Sequence, residues 1–316
     1  MTSQIDDTAS NILWQRARVT PKDQFGFILK LVIALVLTAA GVLLALSPYW
    51  PARIGGVFLL GAMYTHTVEL QHQCLHHSAF LRPRLHRIIG IPLGIPLFVG
   101  YSHYRIRHLQ HHRYLGTPQD SEFFGFDTRK PVTWGALFRE MFNFGRILVV
   151  LGEVVRSIRG TWAYDLGEIP ERRRREVMSE YRIMGLCLLA AVAASFAGFG
   201  EQVLLLWALP LLVAVPLHFI VELPEHILCD NSSTDVLRNT RTITGSRFST
   251  WYTNGNNLHV EHHAAMSVPI NRLPERHSMA REMAVHTHRG YPAFFRLIAQ
   301  EAQRNRKAGR TAGADQ

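Results

Sequence analysis

The sequence predicts an all-α integral membrane protein, with about four transmembrane helices and a helical cap on the cytosolic side. Three observations lead there. Long apolar runs alternate with arginine-rich stretches, the cations fall asymmetrically between the connecting segments, and histidines gather in three tight groups beside the apolar runs.

The chain has 316 residues, room for one large domain or two small ones. Its formal charge of +10 raises nucleic-acid binding as a function. That class is set aside, because the cations flank apolar segments and no nucleic-acid reading motif accompanies them. The 3 cysteines, Cys74, Cys187 and Cys229, form no CxxC pair, so a disulfide framework is not expected and a reducing, cytosol-facing catalytic side is.

Residues 1–24 read as a cytosolic N-terminal segment. Its opening stretch, Met1 to Asp7, is acidic and lacks the basic start of a cleaved signal, so the first apolar run reads as a retained anchor. That run, Phe25 to Leu46, is broken only by Lys30 and would reach about 33 Å as a helix. A second span runs from Ile54 to Leu70 and ends directly in histidines. Ile88 to Tyr101 is too short to cross and is interrupted by Pro92, Gly94 and Pro96, the mark of a re-entrant or interfacial segment. Between Trp134 and Val155, Phe138, Phe142, Leu148 and Leu151 alternate with Arg139, Arg146 and Glu153. This amphipathic pattern suits a helix in the headgroup layer or a helix packed on the cap. The third and fourth spans are Ile183 to Gly200 and Val203 to Val221.

Arginines are dense in the middle segment (Arg172 to Arg175) and after Val221, and sparse in the connections around Ser47–Arg53 and Glu201–Gln202. The positive-inside rule puts those two short connections outside and every histidine cluster in the cytosol. The membrane domain is taken as residues 25–300. Residues 301–316, with Arg304, Arg306, Lys307, Gly309 and Gly313, read as a disordered tail.

The three clusters are His72-Gln-Cys-Leu-His76-His77, His108-Leu-Gln-His111-His112 and His259-Val-Glu-His262-His263. On a helix, positions i, i+3 and i+4 share a face, so each cluster aims two or three imidazoles one way. Neutral imidazole suits Fe, Zn, Cu and Ni. The set exceeds the four ligands of a structural zinc and suits two metals with open positions. His226, four residues after Glu222, faces the same zone and is a further candidate ligand. His218 falls within the fourth span. His66, His86, His103, His277, His286 and His288 have no partner at ligand spacing and read as structural or exposed. Asp120, Glu122, Asp230, Asp235, Glu261, Asn254, Asn256 and Asn257 lie near the clusters, as partners for ligand N–H groups or as turn and cap residues.

At these residues the sequence resembles the membrane fatty acid desaturase family. His72 to Phe80 looks like its first histidine box. Tyr104-Arg105 through His112, leading to Asp120, looks like its second, and Asn257 to His263, followed by Val268-Pro269, like its third. The stretch Glu222 to His226, with Arg238-Asn239-Thr240-Arg241-Thr242 downstream, is similar to the linking region of bacterial members.

The resemblance implies two Fe ions held by His72, His76, His108, His111, His112, His259, His262 and His263, with His226, and leaves His77 open. It implies O2 as co-substrate, a bacterial inner membrane location, and electrons from a separate donor of ferredoxin or cytochrome b5 type with its reductase. A desaturase of a fatty acyl chain is the expected activity. Desaturation of a specialised metabolite such as the amino-acid ether dihydrorhizobitoxine, and aliphatic hydroxylation, are the alternatives on the same machinery. Metal transport is disfavoured because transporters place ligands near the bilayer midplane, whereas these histidines lie beyond the spans.

Overall fold

The computed structural model describes residues 12–121 and 126–312, with backbone alone over 309–312. The chain divides into two compact units, one of Val19–Gln110 and Asn143–His218, the other of the remaining residues.

The first unit is built from long helices. Its α1, Pro21–Ala45, starts in a capping box. The Thr20 side chain accepts from the Asp23 amide at 3.3 Å, Asp23 accepts the Thr20 amide at 2.9 Å, and Pro21 occupies the first turn, where its missing N–H costs nothing. Leu43 is 74% exposed and Val36 61%, so the helix shows apolar side chains outward, as lipid contact requires. The second helix, α2 (Trp50–Leu75), packs on it through small residues. A Cβ on Gly56 would stand 2.2 Å from the Ala45 nitrogen and 2.7 Å from the Gly41 oxygen, so this approach needs glycine.

Helical residues from Glu171 to His218 also pack on α2. The helical stretch as far as Glu222 comprises α7 (Glu171–Ala194), wider turns over Ser195–Phe199 and Leu204–Ala208, and α8 (Leu209–Glu222). Thr65 Oγ1 donates to the Ala214 oxygen at 3.2 Å, and the Tyr64 hydroxyl donates to the Leu206 oxygen. Arg53 pairs with Glu201, which ties the two short connections together at one end of this unit.

Among the described residues, two stretches are long and apolar enough to cross a membrane: Pro21–Ala45 and the 52-residue Glu171–Glu222. The latter is about 78 Å of helix, more than twice a bilayer core. It is broken at Gly198, whose φ of 96° is non-helical, near the end of the third expected span, Ile183 to Gly200. The second expected span is helical, but His66, Glu69, Gln71, His72 and Gln73 make the last half of α2 polar and buried.

Ile88 to Tyr101 is not one segment. Between α3 (Pro83–Gly94) and α4 (Tyr101–Tyr114) lies a short 3-10 turn, Ile95–Leu97, and the two arms bend by 97°. The single amphipathic helix expected from Trp134 to Val155 is two: α5 (Trp134–Met141) and, after the break at Phe142–Phe144, α6 (Gly145–Arg159). In the first unit α6 packs against α7, where Arg182 Nε donates to the Ser157 oxygen at 2.9 Å, while Leu148 and Ile158 stay exposed.

The second unit contains the short helices α9 (Val236–Asn239), α10 (Arg247–Tyr252), α11 (His259–Ala264) and α12 (His277–Met283), and the longer α13 (Tyr291–Ala312). The all-α expectation needs one correction. Strand β1 (Arg241–Thr244) pairs in parallel with β2 (His286–Arg289), Arg241 opposite His286. Their core joins Val132, Leu137, Leu223, Ile227, Ile243, Phe294, Ile298 and Ala302. The tail expected to be disordered from 301 is helical to Ala312, because Ile298 and Ala302 put an apolar stripe on that core and Asn305 Nδ2 donates to the Val132 oxygen at 2.9 Å. Residues 313–316 fall outside the described ones.

Candidate metal centres

Within the first unit, His72 and His76 stand one turn apart at the end of α2, and His108 projects from α4. The three Nε2 atoms converge: His72 to His108 is 2.7 Å, His76 to His108 2.8 Å and His76 to His72 3.2 Å. The end of α2 is held from several sides. Gln71 Nε2 donates to the Gly90 oxygen at 2.8 Å, the Tyr101 hydroxyl to the Cys74 oxygen at 3.0 Å, and Arg105 Nε to the Leu75 oxygen at 2.8 Å. The latter two satisfy terminal carbonyls of α2 that have no partner within the helix.

His77, left open by the resemblance, does not join this triad. It adopts a left-handed φ of 54° and stacks on His86, ring centroids 4.7 Å apart. His86 Nε2 accepts from the Ala79 and Phe80 amides at 3.3 and 3.0 Å, so this pair shapes the loop after α2.

Within the second unit, His111, His226, His259 and His263 bring donor atoms within 4.8 Å of one another. His226 Nε2 lies 3.1 Å from His111 Nε2 and 3.0 Å from His259 Nε2. The far nitrogens of three rings are tied to oxygen. His111 Nδ1 donates to Asp120 Oδ1 at 2.6 Å, His226 Nδ1 to the Asn239 carbonyl at 2.8 Å and His259 Nδ1 to Asn256 Oδ1 at 3.0 Å. The orientation of the Asn256 amide follows from its network, since its Nδ2 donates to Glu225 Oε1.

Those bonds fix the tautomers. With each Nδ1 carrying the proton, each Nε2 presents a lone pair, and that of His226 lies 3.1 and 3.0 Å from those of His111 and His259. Bare lone pairs repel, and a cation among them removes the repulsion. Burial, then the neighbouring imidazoles, pushes His259 and His263 well below the usual histidine range, which keeps both neutral as metal binding requires. Neither ring nitrogen of His263 has a hydrogen-bond partner among the described residues, although the ring is buried. Burial opposes ionisation of Asp120, but its bond and attraction to His111, with the Gly116 amide, outweigh that and hold it below the usual carboxylate range.

His112 and His262 also meet in this unit, Nε2 to Nε2 3.2 Å, and His263 stacks on His112. His112 also stands one turn beyond His108 on α4. Every candidate ligand therefore lies in the triad, the tetrad or this pair.

Of the other candidates near the clusters, Asp120 and Asn256 hold ring nitrogens. Asp230 pairs with Arg238, and Asp235 caps α9. Glu261 binds Thr242 Oγ1 and His277 Nδ1, the latter at 2.6 Å. Asn257 Nδ2 donates to the Ile243 oxygen at 2.6 Å, and Asn254 sits in a left-handed turn. Glu122 lies outside the described residues. Glu225 was missed: its Oε2 is 3.4 Å from His259 Nε2. Elsewhere, His103 Nδ1 meets the Tyr181 hydroxyl at 2.7 Å. Glu69 on α2 and His218 on α8 hold donor atoms within 4.8 Å of each other.

A sequence profile of the family described as fatty acid desaturase matches residues 48–295, which contain all these histidines. The chain belongs to the fatty acid desaturase family. Within this family, the chain is similar to a sphingolipid delta(4)-desaturase DES1 of Drosophila melanogaster, 34% identical over 74 residues, 21% of this chain and 22% of that one. It is also similar to a sphingolipid delta(4)-desaturase DES1-like protein of Arabidopsis thaliana, 31% identical over 100 residues, 30% of this chain and 29% of that one. The similarity thus spans less than a third of either relative's length.

Proposed function

We propose that this fatty acid desaturase family member is an O2-dependent membrane desaturase, with two irons held by the histidine clusters, that introduces a C=C bond into an aliphatic, most simply a fatty acyl, chain. The observation that carries the reading is that His226 Nε2 lies 3.1 and 3.0 Å from the Nε2 atoms of His111 and His259 while each Nδ1 is tied to oxygen. Such a donor set fits a cation of intermediate softness, iron among them. The tetrad His111, His226, His259 and His263 would hold one ion and the triad His72, His76 and His108 the other. His112 and His262 offer two further donors. When bound, the irons supply the oxidation of an unactivated C–H bond, using O2 and two electrons.

The residues of the chain do the rest. Asp120, Asn239 and Asn256 fix which nitrogen faces the metal, and Glu225 adds a carboxylate beside His259. The apolar helices suit a substrate that partitions into lipid. The break at Gly198 supports four crossings, the cation distribution favours a cytosolic position for the histidines, and the resemblance to bacterial members favours a bacterial inner membrane. Electrons would come from a separate ferredoxin or cytochrome b5 type donor.

The test is product analysis by mass spectrometry, with O2, a reductase system and acyl lipids. A loss of two mass units is expected; a gain of sixteen would mean hydroxylation, and a polar metabolite losing two units would move the substrate. Alanine at His111 or His262 should abolish turnover and lower bound iron without loss of membrane insertion.

A further inference from the structure

The second unit contains a buried guanidinium that the chemistry above does not use. Arg241, first residue of β1, is 1% exposed, and among the described residues it makes no ion pair with a carboxylate. A guanidinium keeps its charge, and a buried charge without a counter-ion is costly, so its position calls for a reason.

Its bonded donors all go to one loop, while Nε has no hydrogen-bond partner among the described residues. Nη1 donates to the Pro224 oxygen at 2.9 Å and to the Ile227 oxygen at 2.6 Å, Nη2 reaches the Leu228 oxygen at 3.5 Å, and the backbone amide donates to the Glu225 oxygen at 3.0 Å. Those four carbonyls flank His226 on both sides. The guanidinium also lies 5.2 Å from the centre of the Phe294 ring, which anchors it to the core. Leu228, closing the loop, holds a left-handed φ of 56° that a side chain adopts only under constraint.

We propose that Arg241 is the positioning residue of the tetrad: by gripping the carbonyls around His226 from one rigid fork, it sets where the His226 imidazole and the Glu225 carboxylate stand relative to His111 and His259. This rests on the reading that the tetrad holds a metal. The strand places Arg241 two residues after Asn239, whose carbonyl orients the His226 ring, so ring and loop are aligned by one short segment. Lysine, with a compact ammonium in place of a planar fork, would reach fewer of these carbonyls.

The test is a cobalt(II) titration of the purified full-length chain in detergent, read by the visible absorption of the bound ion. His72→Ala with His108→Ala provides a background that disables the triad. Arg241→Met in that background should raise the Kd of the tetrad by about 10- to 100-fold, the range for lost partners of metal ligands. Arg241→Lys should recover part of the loss. Ile243→Ala, in the same strand and core, controls for stability: it should lower the melting temperature yet leave the Kd within about threefold, well below that range. An Arg241→Met Kd within threefold of the background overturns the inference. So does an Ile243→Ala variant, matched in melting temperature, that loses as much affinity. If the background itself takes up no cobalt, the tetrad reading fails and this inference fails with it.

Discussion

The carbonyl oxygen of Asn239 accepts the Nδ1 proton of His226 at 2.8 Å. A backbone oxygen cannot change its role, so this bond fixes the tautomer of His226 and leaves Nε2 as its donor atom, turned toward His111 and His259. The other two anchors of the tetrad are side chains, and they can be changed one at a time.

Asn256→Ala removes the acceptor of His259 Nδ1 and the donor to Glu225 together. Metal retention under a graded chelator challenge should show the tetrad weakened by about 10- to 100-fold with the triad unaffected. Equal loss from both sites would mean that Asn256 acts on the whole fold.

Asp120→Asn keeps the shape and removes the charge beside His111 Nδ1. The imidazole becomes less basic, and iron affinity at the tetrad should fall by about tenfold or more. Elemental analysis after dialysis checks this, and an unchanged iron content would show that the charge is immaterial.

His77→Gly should keep its full metal content, since His77 stacks on His86 and stands outside the triad. Relief of the left-handed strain, about 1–2 kcal/mol, offsets the lost stacking of about 0.5–1.5 kcal/mol, so thermal stability should barely move. Loss of iron in this variant would return His77 to the ligand set.

Burial pushes the Cys229 thiol up to about 11, against the opposing charge of Arg241. The folded chain holds this proton more tightly than the unfolded one. Its contribution to stability is therefore complete below the unfolded value of 9.0 and is lost as pH rises through about 11. At pH 8 the folded thiolate should be about a hundredfold scarcer than in the unfolded chain. Iodoacetamide labelling mapped by mass spectrometry should mark Cys229 slowly until denaturant is added, and equal rates would contradict the burial.

Gly56→Leu should prevent α1 and α2 from closing, because even a Cβ there meets backbone atoms at 2.2 and 2.7 Å. The expected cost is about 3 kcal/mol or more, above that of ordinary overpacking. Wild-type yield and melting temperature in detergent would show that the helices shift to make room.

The histidines were legible because metal binding needs them at helical spacing, a pattern that survives in one dimension. Asp120 and Asn256 were legible as polar residues close to that pattern. Glu225 was not, because it sits in a turn with no periodicity, and the Asn239 carbonyl was not, because a backbone oxygen leaves no mark on residue identity. The strands were hidden for a related reason. Arg241–Thr244 and His286–Arg289 are four residues each, lack an alternating apolar pattern, and pair across more than forty residues of chain. The helix to Ala312 was masked by a polar composition whose two buried positions, Ile298 and Ala302, are spaced one turn apart. The first two spans were read from hydropathy alone, which registers the apolar half of α2 and not the close glycine contacts that hold it on α1.

The facing lone pairs of His111, His226 and His259 also bear on the life of the chain in a cell. Without an ion the folded state carries their mutual repulsion, and an ion that binds only the folded state shifts the balance toward folding. A chain made when iron is scarce would spend more time locally open and be cleared sooner by proteases. The abundance of the protein should then track the supply of its metal, with no transcriptional control required.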